Sequence, residues 1–371
     1  MPGKESVYSR LMMMPGLILA NGQNTSRWWS GYETTLFLRF IFMIKHIAII
    51  GLGSIGRRHL RLIRDLRPDI NIIVVRSGVG KKIPEEKIAD KVVFNMKEAI
   101  NSGIQAAIIA TPAVNHLDQA LELLQAGVHV LVEKPLSNSM VGVDKLVDFW
   151  KDSALVGLVG YCLRYEPAAR QFKEMLNDKK IGEILHVTIN CGSYLPHWRP
   201  EQDYRQSVSA IKELGGGVLL ELSHELDYIR WFFGDMKSVY ANIQNSGILD
   251  INVEDSADMI FESELGFSVS VHLDFNSRNA RRKSIARCAN GDLIWDAFAN
   301  KVIWLPANGS AELETYKNDR DYIYKEQLKH FFDCIENKKL PSVSIHDGVA
   351  VLHMIDSIKK SHKIGEKVAL A

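Results

Sequence analysis

The stretch "HIAIIGLGSIGRRHLRLIRDL", from His46 to Leu66, constrains this chain more than any other. It sets an apolar run typical of a buried strand before three glycines and an amphipathic pattern in which Ile55, Leu60 and Ile63 share a face. Gly51, Gly53 and Gly56 have the G-x-G-x-x-G spacing, which carries meaning only between a strand and a helix, as here. Gly51 permits the tight turn, Gly53 lets the backbone approach a pyrophosphate, and Gly56 lets helix and strand pack closely. Ser54 and Ile55 then open the helix, where free N–H groups and the positive end of the helix dipole favour a phosphate. The stretch reads as a dinucleotide-binding turn.

Strand and helix go on alternating. "INIIVVRS", "QAAIIATP" and "HVLVEKPL" read as buried strands, and "NHLDQALELLQAGV" and "MVGVDKLVDFWKDS" as helices. Continuous apolar strands separated by helices indicate a parallel sheet covered on both faces. After about Tyr165 the pattern changes. "EILHVTINCGSYL" and the segments between Ser238 and Leu305 alternate with period two, as in an open, largely antiparallel sheet with one solvated face. Two helices, from about Tyr322 to Asn337 and from about His346 to His362, close the chain.

The fold expected is therefore an α/β Rossmann domain with a doubly wound parallel sheet over residues 43–163. An α+β domain with an open, largely antiparallel sheet, for substrate binding and oligomerisation, follows over 164–371. A length of 371 residues suits two such cores. Residues 1–42 show no sustained period, and their apolar runs fall short of the roughly 20 residues of a membrane helix. They read as a poorly ordered extension or the product of a misplaced start codon.

A net charge of +1 gives no electrostatic footprint for nucleic acid or a membrane. Cys162, Cys191, Cys288 and Cys334 are scattered without C-x-x-C or metal-ligand spacing, which fits a reducing cytoplasm and implies no metal site. The cofactor is read at the end of the second strand. NAD binding calls for an acid about 20 residues past the turn, to accept the ribose hydroxyls. Here Arg76 and Ser77 stand at the strand tip, suited to clamping a 2′-phosphate. NADP is the cofactor expected, with NAD the alternative.

"GLGSIGRRHL", "ATPAVNHLDQA", "VEKPL" and "GGGVLLELSHELD" together resemble the Gfo/Idh/MocA family of sugar and cyclitol oxidoreductases, from about Met43 to the C-terminus. "EKP" is the most specific of these elements. The resemblance implies that Thr111, Pro112 and His116 contact the cofactor. It also implies that Glu133 and Lys134 reach the nicotinamide ribose and the substrate hydroxyl, and that a cis bond precedes Pro135. Apart from the resemblance, a lysine ending an apolar strand at the carboxyl edge of a parallel sheet lies where ligands bind.

"GGGVLLELSHELDY", from Gly215 to Tyr228, supplies the second group of chemical residues. Wound as one helix at ~100° per residue, it buries Leu219, Leu222, Leu226, Ile229 and Phe233 in one stripe. Glu221, His224, Glu225 and Tyr228 then share another face. Asp227 falls at its margin, as a salt-bridge or capping residue. The family pattern has an Asp and a His four residues apart. Here Glu221 takes the place of the Asp, His224 follows three residues later and Glu225 four, and both spacings share a face. Either His224 is the general base, oriented by Glu221, or Glu225 occupies the histidine's place at the substrate. The ordinary pKa of imidazole favours His224.

The loop "GSYLPHWRPEQDYRQSVSA" reads as a substrate lid. Trp198 and Tyr204 would stack on a sugar face, and Arg199 and Arg205 would fork onto a carboxylate or phosphate, with loop–loop salt bridges as the other reading. Arg164, in "CLRYEP", is a further basic candidate beside the nicotinamide. Together these residues predict an NAD(P)-dependent oxidoreductase, a cytoplasmic homodimer or homotetramer. It would move a hydride between nicotinamide and a carbinol carbon of a sugar, sugar derivative or cyclitol, with Lys134, His224 and Glu221 as catalytic groups. The alternatives are a cofactor-binding sensor without turnover and a glycosidase that uses NAD transiently.

Overall fold

The computed structural model describes residues 43–79, 82–317 and 319–370, so the expectation for residues 1–42 lies outside them. Strands β1 (His46–Ile50), β2 (Asn71–Val75), β3 (Lys91–Val93), β4 (Ala106–Ile109), β5 (His129–Val132) and β6 (Gly157–Val159) form a parallel sheet in the order β3-β2-β1-β4-β5-β6. Successive residues feed opposite cores. Ile47 and Ile49 pack with Leu60 and Ile63 of α1 (Ser54–Leu66). Ala48 and Ile50 face the other side, where α2 (Met96–Asn101), α3 (His116–Gln125) and α4 (Val143–Lys151) contribute Ala99, Leu123 and Leu146. Ile47, Ile49 and Ile50 are at most 2% exposed. Burying each contributes roughly 1.5–3 kcal/mol, so a strand of continuous apolar residues is stable only between two helical layers. The order of strands reverses between β1 and β4, which opens a crevice at their carboxyl ends.

The chain leaves this sheet through a tight turn at Cys162–Tyr165 and enters α5 (Pro167–Leu176). Glu166 caps that helix, accepting from the N–H groups of Ala168 and Ala169 at 3.1 and 2.6 Å and from the Trp295 indole at 3.1 Å. Then come β7 (Ile184–Gly192), α6 (Val218–Glu221), α7 (His224–Phe233) and strands β8 (Met236–Gln244), β9 (Ser256–Ser263) and β10 (Ser268–Asp274). Strands β11 (Arg281–Cys288), β12 (Gly291–Asp296), β13 (Lys301–Pro306) and β14 (Glu312–Thr315) precede α8 (Tyr322–Glu336), α9 (Ile345–Ile364) and β15 (Val368–Ala369). The second sheet runs β14-β13-β12-β11-β7-β10-β9-β8-β15. Its β7–β10 pairing is parallel and its other pairings are antiparallel. Helix α8 returns to the first sheet, where Leu328, Phe331 and Phe332 share a core with Leu60 and Ile63.

The segment read as one helix from Gly215 onward is two. Leu222 N–H still reaches Val218 O at 2.9 Å, but Leu222 itself turns to φ −97°, ψ 30°. The Glu225 N–H then reaches only three residues back, to Leu222 O at 3.2 Å. This break shifts the phase of everything after it. Glu225 and Tyr228 are 0% and 1% exposed instead of sharing a wet face with Glu221 and His224.

Arg164 is not at the cofactor crevice. Its guanidinium is 8% exposed, and each of its three nitrogens donates within the protein. Nε and Nη2 fork onto the Asp227 carboxylate at 2.9 and 2.6 Å, Nη2 also meets Asp347 at 2.9 Å, and Nη1 meets Ser342 O at 3.0 Å. Burial pushes the Asp227 carboxyl up to about 6 against the pull of Arg164. Removing one partner of a buried ion pair strands the other charge, so Asp227→Ala is expected to cost roughly 3–5 kcal/mol, read as a lowered urea midpoint. An unchanged midpoint would show that Asp347 and Ser342 suffice.

Candidate active site

The crevice is a cavity of about 860 Å³. Gly51 stands at φ +90°, and a Cβ there would lie 2.9 Å from Ala110 O. A Cβ on Gly56 would lie 2.1 Å from Gly51 O, so Gly56 seats α1 under the turn and does not itself line the cavity. Gly53 faces open space, with nothing within 4 Å of where its Cβ would be. Ser54 and Ile55 line the cavity beside it. Helix α1 starts with no side-chain cap and no acid in its first turn, so its leading N–H groups are left for an incoming anion. An open backbone approach beneath a bare helix N-terminus fits a dinucleotide pyrophosphate.

Arg76 and Ser77 line the β2 end of the cavity. Glu86, which no local pattern marks, reaches over from the short helical segment Pro84–Ile88 to pair with Arg76 Nη1 at 2.5 Å. Thr111 and Pro112 line the middle, with Thr111 Oγ1 2.7 Å from Gln119 Oε1. His116 does not reach the cavity. It is 1% exposed, with Nδ1 2.8 Å from Pro135 O and Nε2 2.8 Å from Thr111 O. Burial lowers its pKa against the pull of the two carbonyls. It ties the Thr111 turn to the end of β5 from behind, and the expectation of a direct cofactor contact is corrected accordingly.

The chemical edge lies where β5 meets α6 and α7. The Lys134–Pro135 bond is cis. Lys134 Nζ donates to Glu221 O at 2.9 Å and to Glu221 Oε2 at 3.3 Å, with both side chains about one-fifth exposed. Glu133 Oε1 lies 2.7 Å from Nε2 of a fully buried His59. His59 was missed, although its signal was present. It shares the buried i, i+3, i+4, i+7 face of α1 with Gly56, Leu60 and Ile63, and a polar group there requires a partner.

His224 lines the same wall, its Nδ1 buried without a hydrogen-bond partner among the described residues. Burial, then the positive charges of Arg282 and Lys134, hold its pKa well below the ordinary value, so the imidazole is neutral at pH 7. Glu225 points the other way and pairs with Arg282 Nε at 2.7 Å inside the second sheet. It is therefore neither the base nor a substrate contact. Cys162 lines the wall as well, but burial, then the Glu133 charge, pushes its thiol up to about 12, which excludes a thiolate nucleophile. Tyr324 also lines it, delivered by α8 from far along the chain, and no local pattern announced it.

Of the four lid residues, only Arg199 lines the cavity. The Trp198 indole donates to Ser193 Oγ at 2.7 Å and packs edge-on against Phe275. Tyr204 donates to Leu249 O at 2.9 Å, and Arg205 pairs with Asp203 and Asp250. These three anchor the loop in place of gripping a ligand.

Fold and cavity together define a two-domain dinucleotide-binding protein with a lysine, a carboxylate and a neutral histidine at one edge of the cleft. Residues 45–161 match the oxidoreductase family with an NAD-binding Rossmann fold, and residues 169–293 match the Gfo/Idh/MocA C-terminal domain. The chain belongs to the Gfo/Idh/MocA oxidoreductase family. It is 23% identical over 332 residues to D-xylose 1-dehydrogenase (NADP(+)) 2 of Haloferax volcanii, covering 87% of this chain and 99% of that protein. It is 28% identical over 189 residues to 2,7-anhydro-N-acetylneuraminate hydratase of Mediterraneibacter gnavus, a match of 51% of this chain and about half (49%) of that protein. Its fold is similar to that of levoglucosan dehydrogenase in complex with NADH, with a TM-score of 0.78 and 19% identity over 88% of this chain and 99% of that one.

Proposed function

We propose that the protein is an NAD(P)-dependent oxidoreductase acting on the carbinol carbon of a sugar, sugar derivative or cyclitol. The observation that carries this reading is Lys134 Nζ, held at the edge of the dinucleotide cleft by Glu221 and beside a neutral His224. When bound, the nicotinamide accepts or supplies the hydride. The Lys134 ammonium holds the substrate oxygen and stabilises negative charge growing on it. His224 takes the hydroxyl proton at Nε2, since its Nδ1 is buried. Glu221 aims Lys134, and Glu133, oriented by His59, lies beside the lysine. The dehydrogenase names among the relatives support the same class.

The cofactor reading is NADP(H), supported by Arg76 and Ser77 at a strand tip with no acid. Glu86 shares the charge of Arg76, which favours NAD(H) as the alternative. We assign residues 43–163 to cofactor binding and 164–371 to substrate binding and oligomerisation, with α8 lying against the first part. Four buried, unpaired cysteines support a cytoplasmic location. No described helix is long and apolar enough to cross a membrane.

A homodimer or homotetramer is supported by the open face of the second sheet. In register across neighbouring strands, an apolar row runs from Tyr240 and Ile260, through Ser270 and Thr188, to Ile285, Ile294, Ile303 and Leu313. Tyr240, Ile260 and Leu313 are 47%, 54% and 58% exposed.

Three measurements test these assignments. Lys134→Met and His224→Asn should each lower kcat roughly 10²–10⁴-fold on a sugar that wild type oxidises, with cofactor affinity retained. Near-wild-type kcat in both would refute the catalytic roles. Arg76→Ala should weaken NADPH binding roughly 10–100-fold and NADH binding far less, the size of one or two charge-assisted hydrogen bonds. Equal losses for both cofactors would remove the NADP reading. Sedimentation of wild type should give a dimer or tetramer that Ile260→Lys with Ile294→Lys dissociates, whereas a wild-type monomer would end the oligomer reading.

A further inference from the structure

Four cations line the cavity, and the protein answers three of them. Arg58 pairs with Asp321 at 3.1 Å, Arg76 with Glu86 at 2.5 Å and Lys134 with Glu221 at 3.3 Å. Arg199 lines the same cavity and has no carboxylate partner among the described residues. The acids on that wall are taken as well, Glu133 by His59 and Glu221 by Lys134. Arg199 is therefore left with a full positive charge and no internal counter-ion.

Arg199 is exposed, as unpaired arginines ordinarily are, but it lines a cavity. The chain on either side of it is fixed by the Trp198–Ser193, Tyr204–Leu249 and Arg205–Asp203 contacts, and its own carbonyl accepts from Gln202 N–H at 3.1 Å. Val208 and Gly215 of the same loop line the cavity with Glu221 and His224. Arg199 enters the cavity on this loop, whereas Arg76 and Ser77 line the β2 end. A guanidinium matches a carboxylate with two parallel N–H···O bonds, and an anchored loop backbone limits how far the side chain can move from the cavity.

We propose that Arg199 is the specificity-determining residue for an anionic substrate, a sugar acid. Its carboxylate sits on Arg199 while its carbinol carbon lies at Lys134 and His224. This rests on the oxidoreductase reading above. A phosphate would present the same oxygens. We commit to the carboxylate, whose two coplanar oxygens match the planar guanidinium fork; a cavity of about 860 Å³ that also holds the dinucleotide leaves room for a sugar ring with a small anionic group and little for a second nucleotide.

The test uses the full chain saturated with oxidised cofactor. Hexuronates are titrated calorimetrically, each against its matched neutral hexose, beside a hexose phosphate and a UDP-hexose, and reduced nicotinamide is followed in parallel. At least one hexuronate should bind roughly 10–100-fold tighter than its hexose, the size of a charge-assisted pair. Arg199→Gln should abolish that preference and Arg199→Lys keep part of it. The proposal is overturned if no hexuronate binds better than its hexose, if Arg199→Gln leaves the preference unchanged, or if only the phosphorylated ligands respond to that substitution. Arg199-dependent uronate binding without hydride transfer would uphold the proposal and sink the oxidoreductase reading. Turnover of neutral sugars with no Arg199-dependent preference would do the reverse.

Discussion

The buried guanidinium of Arg164 fixes the relation between the two halves of the active site. It leaves the first sheet just after β6 and binds Asp227 on α7, Asp347 on α9 and the carbonyl of Ser342. Asp227 lies three residues after His224, so the same fork that closes the domain junction sets where the imidazole stands relative to Lys134 at the end of β5. A buried ion pair of this kind adds little net stability, because desolvation offsets most of its attraction. What it supplies is direction, since a planar fork with three occupied nitrogens tolerates few alternative positions of α7.

Around that junction the charged groups occur in answered pairs. Glu225 neutralises Arg282 behind α7, Glu133 is met by His59, and Lys134 by Glu221. Most of these side chains are largely screened from water, where an unanswered charge is costly. His224 is kept neutral in this setting by burial and by two neighbouring cations, which leave its lone pair free and also make the protonated form costly. The cleft thus combines a bare helix N-terminus at one part with a lysine, a carboxylate and a neutral histidine at another.

Much of this was legible in the sequence wherever the chemistry is local. The glycine turn, the strand tip at Arg76, the Thr111–Pro112 turn and the Lys134–Pro135 edge each depend on a few consecutive residues at the end of a strand, and each lines the cavity or shapes it. Errors arose where a side chain's role depends on what packs against it. His116 and Arg164 looked like ligand groups and prove to be internal braces, because their partners, Pro135, Asp227 and Asp347, are distant in sequence. Trp198, Tyr204 and Arg205 have the composition of a binding loop and serve as its anchors.

The sequence by itself determined the two kinds of sheet, the order of helix and strand in the first, the glycine turn, and Lys134, Glu221 and His224 as residues that meet at one cavity, because periodicity and turn chemistry are properties of neighbouring residues. Tertiary structure alone decided which of His224 and Glu225 lines the cavity. The irregular turn at Leu222 rotates Glu225 onto Arg282 in a strand 57 residues away and leaves His224 at the cleft. No helical wheel contains that choice, since it follows from a long-range ion pair and a break in backbone phase.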